Sequence, residues 1–513
     1  MTTAPVPRPR HHVQRRPGLA SFCHRLCSWC LFLLCFLQVA LASGPGKVVT
    51  SLPGFDGPLP FHLETGYVEV DELNGAELFY YFVESESGGG SKDTPFLFWL
   101  TGGDRCSVFS GLAFEIGPIR FVLEPYNGTL PRLQYNTNSW SKVSHILFVD
   151  SPVGAGFSYS RESKGYDVGD ISSTWQLHDF LIKWFNDHPE YHENPFYIGG
   201  DSYAGKIAPF LAQMISEGIE AGKKTLPNLK IIFLLTDILY AGSFCPLQGY
   251  LVGNPGTGEI IDVSSRVPYA HGVGIISDQL YETILGHCQG QDYYNPSNVL
   301  CAQAMNTFNN LVSEVEQAQI LLDACVYASP VPNIDSKMDG SDGRKILREE
   351  IGVGRLNHPP ARPPFGCVTY GYYLSYFWAN DKRTREALGI KKGTVEEWVR
   401  CHDGDLPYEY DLKSSIKYHH NLTSRGYRAL VYSGDHDLLV PHLGTQAWVR
   451  SLNFSIVDDW RAYHLGGQSA GFTISYSNNM TFATIKGGGH TAPEYEPERC
   501  FAMFSRWILN RPL

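Results

Sequence analysis

Three things are missing from this 513-residue sequence, and each absence excludes a class of protein. After Ala42 no segment reaches about 18 unbroken apolar residues, so we expect no membrane span there and a soluble remainder. No paired CxxC spacing is present, so nothing indicates a zinc site. No later stretch is basic and the formal net charge is −11, which argues against a nucleic-acid partner, because phosphate binding calls for a basic face.

The N-terminal segment has the pattern of a secretory signal. Basic residues precede an apolar run from Trp29 to Ala42, which ends in small residues. At about 14 residues this run is short for a membrane span. We therefore predict a cleaved signal peptide over residues 1–43, with an uncleaved anchor as the alternative. The mature domain would cover residues 44–513 and be extracellular or vacuolar.

Cysteines and glycosylation acceptors indicate the same compartment. Of the 12 cysteines, four lie in the signal segment and eight remain in the mature chain, where disulfides are their default use in a secretory protein. Four Asn-x-Ser/Thr tripeptides are candidate glycosylation acceptors, at Asn127, Asn421, Asn453 and Asn479.

The spacing of apolar residues predicts the fold class. The segment "GYVEVDELNGAELFYYFVES" alternates apolar and polar residues around Asn74-Gly75, which predicts a hairpin. Short apolar segments such as "PFLFWL" and "HILFVD" are then followed by amphipathic helical stretches. Strand alternating with helix predicts an α/β fold with a largely parallel central sheet and helices on both faces.

The middle of the chain has a different pattern. From about residue 256 to residue 351 the apolar spacing is helical with scattered cysteines, and the stretches that follow are polar and rich in proline and glycine. We interpret residues 256–370, approximately, as an inserted helical lid with a mobile loop and not as a separate domain.

The stretch "FYIGGDSYAGKIAPF" contains the candidate nucleophile, Ser202, between an apolar strand and a helix. Gly-x-Ser-x-Gly in that position is the nucleophile elbow, in which glycines permit a sharp turn that exposes the hydroxyl. Here one extra residue stands before the second glycine, so the strict pattern is relaxed. A surface Gly/Ser turn without catalytic function is the alternative.

An acid and a histidine follow at the ends of later strands. "LVYSGDHDLLVP" ends an apolar strand with Asp435 and Asp437, and "FATIKGGGHTAPE" ends another with His490 after three glycines. The order Ser, Asp, His is the one expected of an α/β-hydrolase fold.

The chain resembles the serine carboxypeptidase-like proteins of plants over nearly all of its mature length. The motifs that carry the resemblance include "LFWLTGG", "FEIGP", "SYSRESKGYDVGD", "GDSYAGK", "LVGNP", "VYSGDHDLLVP" and "GGGHTAPEY". The resemblance implies Ser202 as nucleophile, His490 as base and Asp437 as the orienting acid, with Asp435 structural at the strand end.

The resemblance also implies further groups. The oxyanion donors would be the backbone amides of Gly103 and Tyr203. No cofactor and no metal would be needed. The implied disulfides are Cys106–Cys401, Cys288–Cys301 and Cys325–Cys367, with Cys245 and Cys500 left over.

Two chemistries occur on this site within the family. Its carboxypeptidases have Asn and Glu where this chain has Thr101 and Asp201, and they use both to hold the free carboxylate of a peptide substrate. Thr and Asp are typical of the acyltransferase branch, which takes acyl groups from 1-O-glucose esters and passes them to alcohols of specialised metabolism. Glu115 in "FEIGP" can share a proton with Asp201. We favour the acyltransferase, with a small-molecule donor and acceptor, over a serine-type carboxypeptidase acting on peptides.

Two departures from the family pattern keep a third hypothesis open, a catalytically impaired family member. The first is in the loop after Thr101, which in the family usually reads Gly-Gly-Pro-Gly-Cys-Ser. Here Asp104 and Arg105 replace Pro and Gly, so either the whole loop is reshaped or only its far side changes.

The second departure is the apolar stretch from Ile231 to Gln248, which interrupts the expected entry into a core strand. We interpret it as a translated intron or gene-model error, or as a genuine lid element; sequencing the transcript would distinguish the two.

Overall fold

The computed structural model describes residues 1–2, 46–88, 90–223, 246–324, 330–331, 348–349, 367–402 and 404–513. Outside the described residues lie residues 3–43 of the predicted signal peptide, residues 231–245 of the apolar stretch, which include Cys245, and residues 325–329, 332–347 and 350–366 of the predicted lid, which include Cys325.

The strands are numbered in chain order. They are β1 (Lys47–Val48), β2 (Leu63–Asp71), β3 (Ala76–Val83), β4 (Phe96–Leu100), β5 (Ile119–Phe121), β6 (Leu133–Tyr135), β7 (His145–Val149), β8 (Tyr159–Ser160), β9 (Val168–Gly169), β10 (Phe196–Asp201), β11 (Leu247–Gly253), β12 (Pro330–Val331), β13 (Arg348–Glu349), β14 (Tyr408–Glu409), β15 (Arg428–Gly434), β16 (Ile456–Leu465), β17 (Gln468–Tyr476) and β18 (Met480–Ile485).

The α-helices are numbered in the same way. They are α1 (Asp170–Asp187), α2 (Ala204–Lys223), α3 (Ile261–Ser264), α4 (Arg266–Gly272), α5 (Asp278–His287), α6 (Val299–Val312), α7 (Tyr370–Asn380), α8 (Lys382–Leu388), α9 (Ile416–Ser424), α10 (His442–Ser451), α11 (Ala492–Tyr495) and α12 (Pro497–Ile508). No helix within the described residues is long and apolar enough to span a membrane.

Twelve of the described strands form one sheet, in the order β1-β2-β3-β7-β4-β10-β11-β15-β18-β17-β16, with β8 paired to β3. The six central strands, from β7 to β18, run parallel to one another. The flanking strands are antiparallel. The carboxyl ends of the central strands therefore meet at one edge, where ligands bind in open α/β sheets.

Both faces of this sheet are buried, as the sequence predicted. Along β4, Phe96 and Phe98 belong to one apolar cluster while Leu97 and Trp99 belong to another. Helices α1, α2 and α10 cover the first face, and α7 and α12 cover the second. Successive side chains of a strand point to opposite faces, so near-continuous apolar runs are what a sheet covered on both sides requires.

Of the two long hairpins, one was predicted and one was not. Strands β2 and β3 pair around Asn74-Gly75, and Gly75 has the positive φ of 63° that such a turn needs. Strands β16 and β17 pair around Gly466 and Gly467 at the far edge of the sheet. Strand β16 is mostly exposed, so its sequence lacks the apolar run that identified the central strands.

Between β11 and β15 the described residues include helices α3 to α6. Helices α4 to α6 share an apolar cluster of their own, which contains the disulfide between Cys288 and Cys301. Leu438, from the loop after β15, packs into the same cluster. The helices are thereby attached to the loop that carries Asp437.

Two disulfides close loops of very different length, which predicts unequal effects on stability. Cys106–Cys401 spans 295 residues and Cys288–Cys301 spans 13. The chain-entropy relation sets upper figures of about 6 and about 3 kcal/mol for the two bonds. The double variant Cys106→Ser/Cys401→Ser should therefore lose more than Cys288→Ser/Cys301→Ser in a thermal or urea unfolding curve. Equal losses would show that loop closure is not what these bonds contribute.

Candidate active site

Ser202 lies at the sharp turn between β10 and α2. Its φ is 52°, in the left-handed region that side chains other than glycine rarely adopt. Its amide donates to the carbonyl of Gly253 (2.9 Å), and its carbonyl accepts from the amides of Gly205 (3.0 Å) and Gly256 (2.9 Å). The strained backbone, which costs about 1–2 kcal/mol, is held on both sides by the end of β11 and by the first turn of α2.

Close packing explains the glycines around this turn. A Cβ on Gly200 would lie 2.7 Å from both the Ala204 Cβ and the Leu100 carbonyl oxygen. A Cβ on Gly205 would lie 2.3 Å from the Pro255 Cβ. The extra residue in "GDSYAG" therefore leaves the second glycine in a position that only glycine fits.

His490 connects the serine to an acid. Its Nε2 lies 2.7 Å from the Ser202 Oγ, and its Nδ1 lies 2.8 Å from the Asp437 Oδ2. Asp437 is fully buried. The three side chains predicted from three strand ends are thus within hydrogen-bond distance in the order that nucleophile activation requires.

The protonation of His490 follows from two opposing effects. Burial lowers its pKa, but the charge of Asp437 and the hydrogen bond to it raise the pKa further than burial lowers it. The net pKa lies above the ordinary value of 6.5. The contact with Asp437 therefore favours the protonated, imidazolium form of His490.

Asp435 has other partners. Its Oδ1 accepts the amide of Gly487 (2.7 Å) and lies 2.9 Å from the Nδ1 of His436. These contacts connect the end of β15 to the glycine-rich turn before His490, in agreement with the structural role that the sequence suggested.

Asn254 also belongs to the site, although no sequence pattern identified it. Its Nδ2 donates to the Asp437 Oδ2 (2.8 Å) and its Oδ1 accepts the amide of Gly434 (3.0 Å). Asp437 also accepts the amides of Leu439 (2.7 Å) and Val440 (3.2 Å). Asn254 follows β11 directly, so its position at a central strand end was the available signal.

The segment after α6 also contacts the site, which the sequence did not indicate. The carbonyl of Ala318 accepts the amide of His490 (2.7 Å), and the carbonyl of Gln317 accepts the amide of Leu438 (2.9 Å). The Gln319 side chain donates to the carbonyl of Gly487 (2.7 Å). This segment thus contacts both the loop that carries Asp437 and the loop that carries His490. Most of these contacts use backbone groups, which every residue has, so the residue types in the segment do not indicate them.

The loop from Gly102 to Cys106 lies beside the serine. A Cβ on Gly102 would lie 2.5 Å from the Ser202 Cβ, and Gly103 has a φ of 81°. In the part of the chain that is described, the amides of Gly103 and Tyr203 donate to no other group. They remain available for the oxyanion of a tetrahedral intermediate, which is the function the resemblance implied.

The two departures in this loop, Asp104 and Arg105, leave Gly103 in place. Arg105 does not adopt a positive φ, so the strain that would follow from replacing a left-handed glycine is absent. Its side chain is 2% exposed and points into the protein, while Asp104 accepts a hydrogen bond from the Tyr410 hydroxyl (2.5 Å). Gly103 keeps the conformation that a glycine allows.

Thr101, Glu115 and Asp201 form a buried polar group behind the serine. The Thr101 hydroxyl donates to the Glu115 Oε1 (2.6 Å), and the Trp99 Nε1 donates to the Glu115 Oε2 (2.9 Å). The Asp201 Oδ1 accepts the amide of Gly102 (2.9 Å), while its buried Oδ2 has no partner among the described residues.

Both carboxyl groups hold protons more strongly than usual. Burial raises the pKa of Glu115 to about 7 and, with the neighbouring charge of Glu115, raises the pKa of Asp201 well above its ordinary value. The two groups are coupled by charge rather than by a direct hydrogen bond. Glu494, whose own pKa is raised by burial, belongs to the same acidic surroundings.

The structure also places the cysteines and the candidate glycosylation acceptors. Cys106–Cys401 and Cys288–Cys301 are disulfides, and Cys367 is disulfide-bonded. Cys500 is buried and free. The four candidate glycosylation acceptors, Asn127, Asn421, Asn453 and Asn479, are all exposed.

Comparison with known sequences connects this geometry to a family. A family model described as serine carboxypeptidase matches residues 53–510. Serine carboxypeptidase-like 19 of Arabidopsis thaliana is 44% identical over 488 residues, which cover 94% of this chain and 98% of that protein. Serine carboxypeptidase-like 7 of the same plant is 43% identical over 484 residues, with 94% and 97% covered.

A solved structure shares the fold. Kex1ΔP, a prohormone-processing carboxypeptidase from Saccharomyces cerevisiae, superposes with a TM-score of 0.64 at 20% identity and covers 91% of this chain and 95% of its own. The α/β-hydrolase fold expected from the sequence is confirmed.

The geometry predicts how Ser202 reactivity depends on pH. Labelling by a fluorophosphonate probe needs neutral His490 as base, so its rate should rise with pH through a midpoint above 6.5. In Asp437→Asn the midpoint should move to lower pH, because the charge that stabilises the imidazolium is gone. The rate should also fall by about 10³-fold or more.

Asp435→Asn is the matched control, since asparagine keeps the acceptor for the Gly487 amide. This variant should leave the midpoint in place. A shift as large as that of Asp437→Asn would contradict the assignment of the acid.

Proposed function

The chain belongs to the serine carboxypeptidase family, and on that premise we propose that it is an acyltransferase that moves an acyl group from a 1-O-glucose ester to an alcohol of specialised metabolism. Ser202 is the nucleophile, His490 the base and Asp437 the acid that orients the histidine.

The first half-reaction forms an ester on Ser202. As its Oγ attacks the acyl carbonyl, His490 Nε2 takes the hydroxyl proton across the 2.7 Å contact, and the amides of Gly103 and Tyr203 bind the oxyanion. The bond to the glucose oxygen then breaks, and that oxygen receives the proton from His490. Glucose leaves and the acyl enzyme remains.

The second half-reaction repeats these steps with the acceptor alcohol. Its hydroxyl gives a proton to His490 while its oxygen attacks the acyl carbonyl, and the bond to the Ser202 Oγ breaks. The serine regains the proton and the new ester leaves. Neither half-reaction calls for a metal or a cofactor.

The observation that carries the proposal is the pair Thr101 and Asp201. Thr101 has no amide to offer a substrate carboxylate, and its hydroxyl already donates to Glu115 (2.6 Å). Asp201 is one methylene shorter than the Glu of carboxypeptidases and is 1% exposed, with one oxygen accepting the Gly102 amide. The site thus lacks one of the donors that would bind the free carboxylate of a peptide substrate. An ester substrate has no such carboxylate and does not need that donor.

A transferase must also keep water from the acyl enzyme. We assign this task to the helical lid, residues 256–370 approximately, which would order the acceptor over Ser202. Support comes from the segment after α6, because the contacts of Gln317, Ala318 and Gln319 join it to the loops that carry Asp437 and His490.

A serine-type carboxypeptidase is the second candidate, and one observation favours it. Glu115, with a pKa of about 7, and Asp201, whose pKa burial raises well above its ordinary value, can both be protonated in mild acid and donate to a substrate carboxylate. In this reaction water takes the place of the acceptor alcohol.

The cellular setting belongs to the same proposal. Residues 1–43 would direct the chain into the secretory pathway, towards the vacuole or the outside, and residues 44–513 would act there as a glycoprotein. The exposure of the four acceptor asparagines supports glycosylation.

The two activities can be separated with one preparation. The mature protein is incubated with an acyl glucose plus candidate alcohols, and separately with a blocked dipeptide, and Ser202→Ala is run beside it. We expect ester transfer that depends on Ser202. Peptide cleavage without transfer would overturn the proposal in favour of the peptidase, and no Ser202-dependent turnover of either substrate would favour an impaired protein.

Exchange of the pair Thr101 and Asp201 should redirect the chemistry. In Thr101→Asn/Asp201→Glu, the added amide and methylene restore the groups that hold a carboxylate in carboxypeptidases. The ratio of dipeptide hydrolysis to ester transfer should rise, measured by product chromatography under identical conditions. Asn254, which hydrogen-bonds to Asp437 and Gly434 and not to this pair, supplies the control: Asn254→Ala should slow both reactions without changing their ratio. An unchanged ratio in the double variant would remove this pair as the determinant.

A further inference from the structure

Arg105 stands where family members usually have a glycine, in the same loop as Gly103. It is among the largest fully buried side chains of the protein, at 2% exposure. Burial lowers the pKa of its guanidinium, and the nearby charge of Asp104 opposes that effect. A buried cation on a loop that borders an active site needs a physical reason, because taking it out of water is costly.

The guanidinium is solvated by the backbone of three separate segments. Nη1 donates to the carbonyl of Val153, and Nη2 donates to the carbonyls of Tyr166 (2.7 Å) and Pro407. Val153 follows β7, Tyr166 ends the short 3-10 turn before β9, and Pro407 precedes β14. Within the described residues its hydrogen-bond acceptors are thus all backbone carbonyls, and the buried Nε has no partner there. The planar fork of arginine presents its N–H donors to several sides at once.

The surroundings are shaped to receive this side chain. A Cβ on Gly154 would lie 2.8 Å from the Arg105 Nη1, and Gly154 has a φ of 97°, so a glycine keeps the space open. The Arg105 guanidinium also lies over the ring of Tyr408, 5.8 Å from its centroid.

The position of Arg105 is transmitted to Gly103 over a short distance. Cys106, the next residue, packs under Gly103 so closely that a Cβ there would lie 2.3 Å from its Sγ. Cys106 is bonded to Cys401, and the amide of His402 donates to the carbonyl of Arg105 (3.2 Å). Arg105 and the disulfide therefore anchor the same end of the loop, one by hydrogen bonds and one covalently.

We propose that Arg105 is a positioning residue that holds the Gly103 amide in the oxyanion site. The inference rests on the proposed function, in which that amide binds the oxyanion. The family's usual loop has Pro and Gly at positions 104 and 105, and here the buried side chain supplies the restraint that the fixed φ of proline would give. Arg105 touches no reacting atom and acts only through the backbone of its own loop.

The test measures the rate at which a fluorophosphonate labels Ser202, since this reaction needs the oxyanion donors but no knowledge of the acyl group or acceptor. Arg105→Gly should slow labelling on the order of 10²-fold, as loss of one oxyanion donor does. Guanidinium chloride at low millimolar concentration should restore part of the rate by filling the vacated site. Urea at the same concentration should not.

Arg385 provides the matched control. It is also partly buried, donates to the carbonyl of Val395 and to Asn380, and lies over the ring of Phe157, outside the proposed catalytic groups. Arg385→Gly should lower the unfolding temperature as Arg105→Gly does, yet keep the wild-type labelling rate. Where Arg105→Gly gives no folded protein, Arg105→Lys replaces it and should show the same slow labelling.

The outcomes separate the two claims. Equal labelling of wild type and folded Arg105 variants overturns the positioning role and leaves the proposed function intact. Equal slowing in the Arg385 variant, with no recovery by guanidinium, also overturns it by showing a general effect of destabilisation. A wild type that is not labelled at Ser202 overturns the proposed nucleophile instead.

Discussion

The left-handed conformation of Ser202 is the constraint on which the rest of the site depends. A φ of 52° turns the chain from β10 into α2 so sharply that the Oγ stands above the carboxyl edge of the sheet. That turn requires neighbours without side chains at Gly200 and Gly205, and it requires the end of β11 to hold the serine backbone. The strain is small beside the packing of six buried parallel strands, so the sheet can impose it.

Hydrogen bonding at Asp437 shows how the same sheet keeps a buried charge next to a base. In the described chain its carboxylate accepts from one side-chain amide, two backbone amides and His490, and from no cation. Neutral donors stabilise the negative charge without cancelling it, so it remains free to stabilise the imidazolium. An arginine in the place of Asn254 would satisfy the same oxygen but would weaken the base.

The sequence predicted what depends on side-chain pattern and missed what depends on the backbone. The central strands were visible because burial on both faces demands long apolar runs, and the order of Ser202, Asp437 and His490 was visible because each ends such a run. Strands β16 and β17 were not, because β16 is an exposed edge strand and the buried positions of β17 include glycine and threonine rather than a long apolar run. The contacts of Ala318 with His490 were invisible in principle, since a carbonyl is present on every residue. Asn254 was in view within "LVGNP" but carried no pattern of its own.

The loop from Gly102 to Cys106 illustrates how one restraint can replace another. Proline restricts a loop through its own φ angle, so the restraint is local and moves with the segment. A buried arginine restricts it through carbonyls that are far away in the sequence, so the loop becomes dependent on the packing of Val153, Tyr166 and Pro407. Substitutions there can therefore change the oxyanion site without touching it, a sensitivity that a loop restrained by proline would not have.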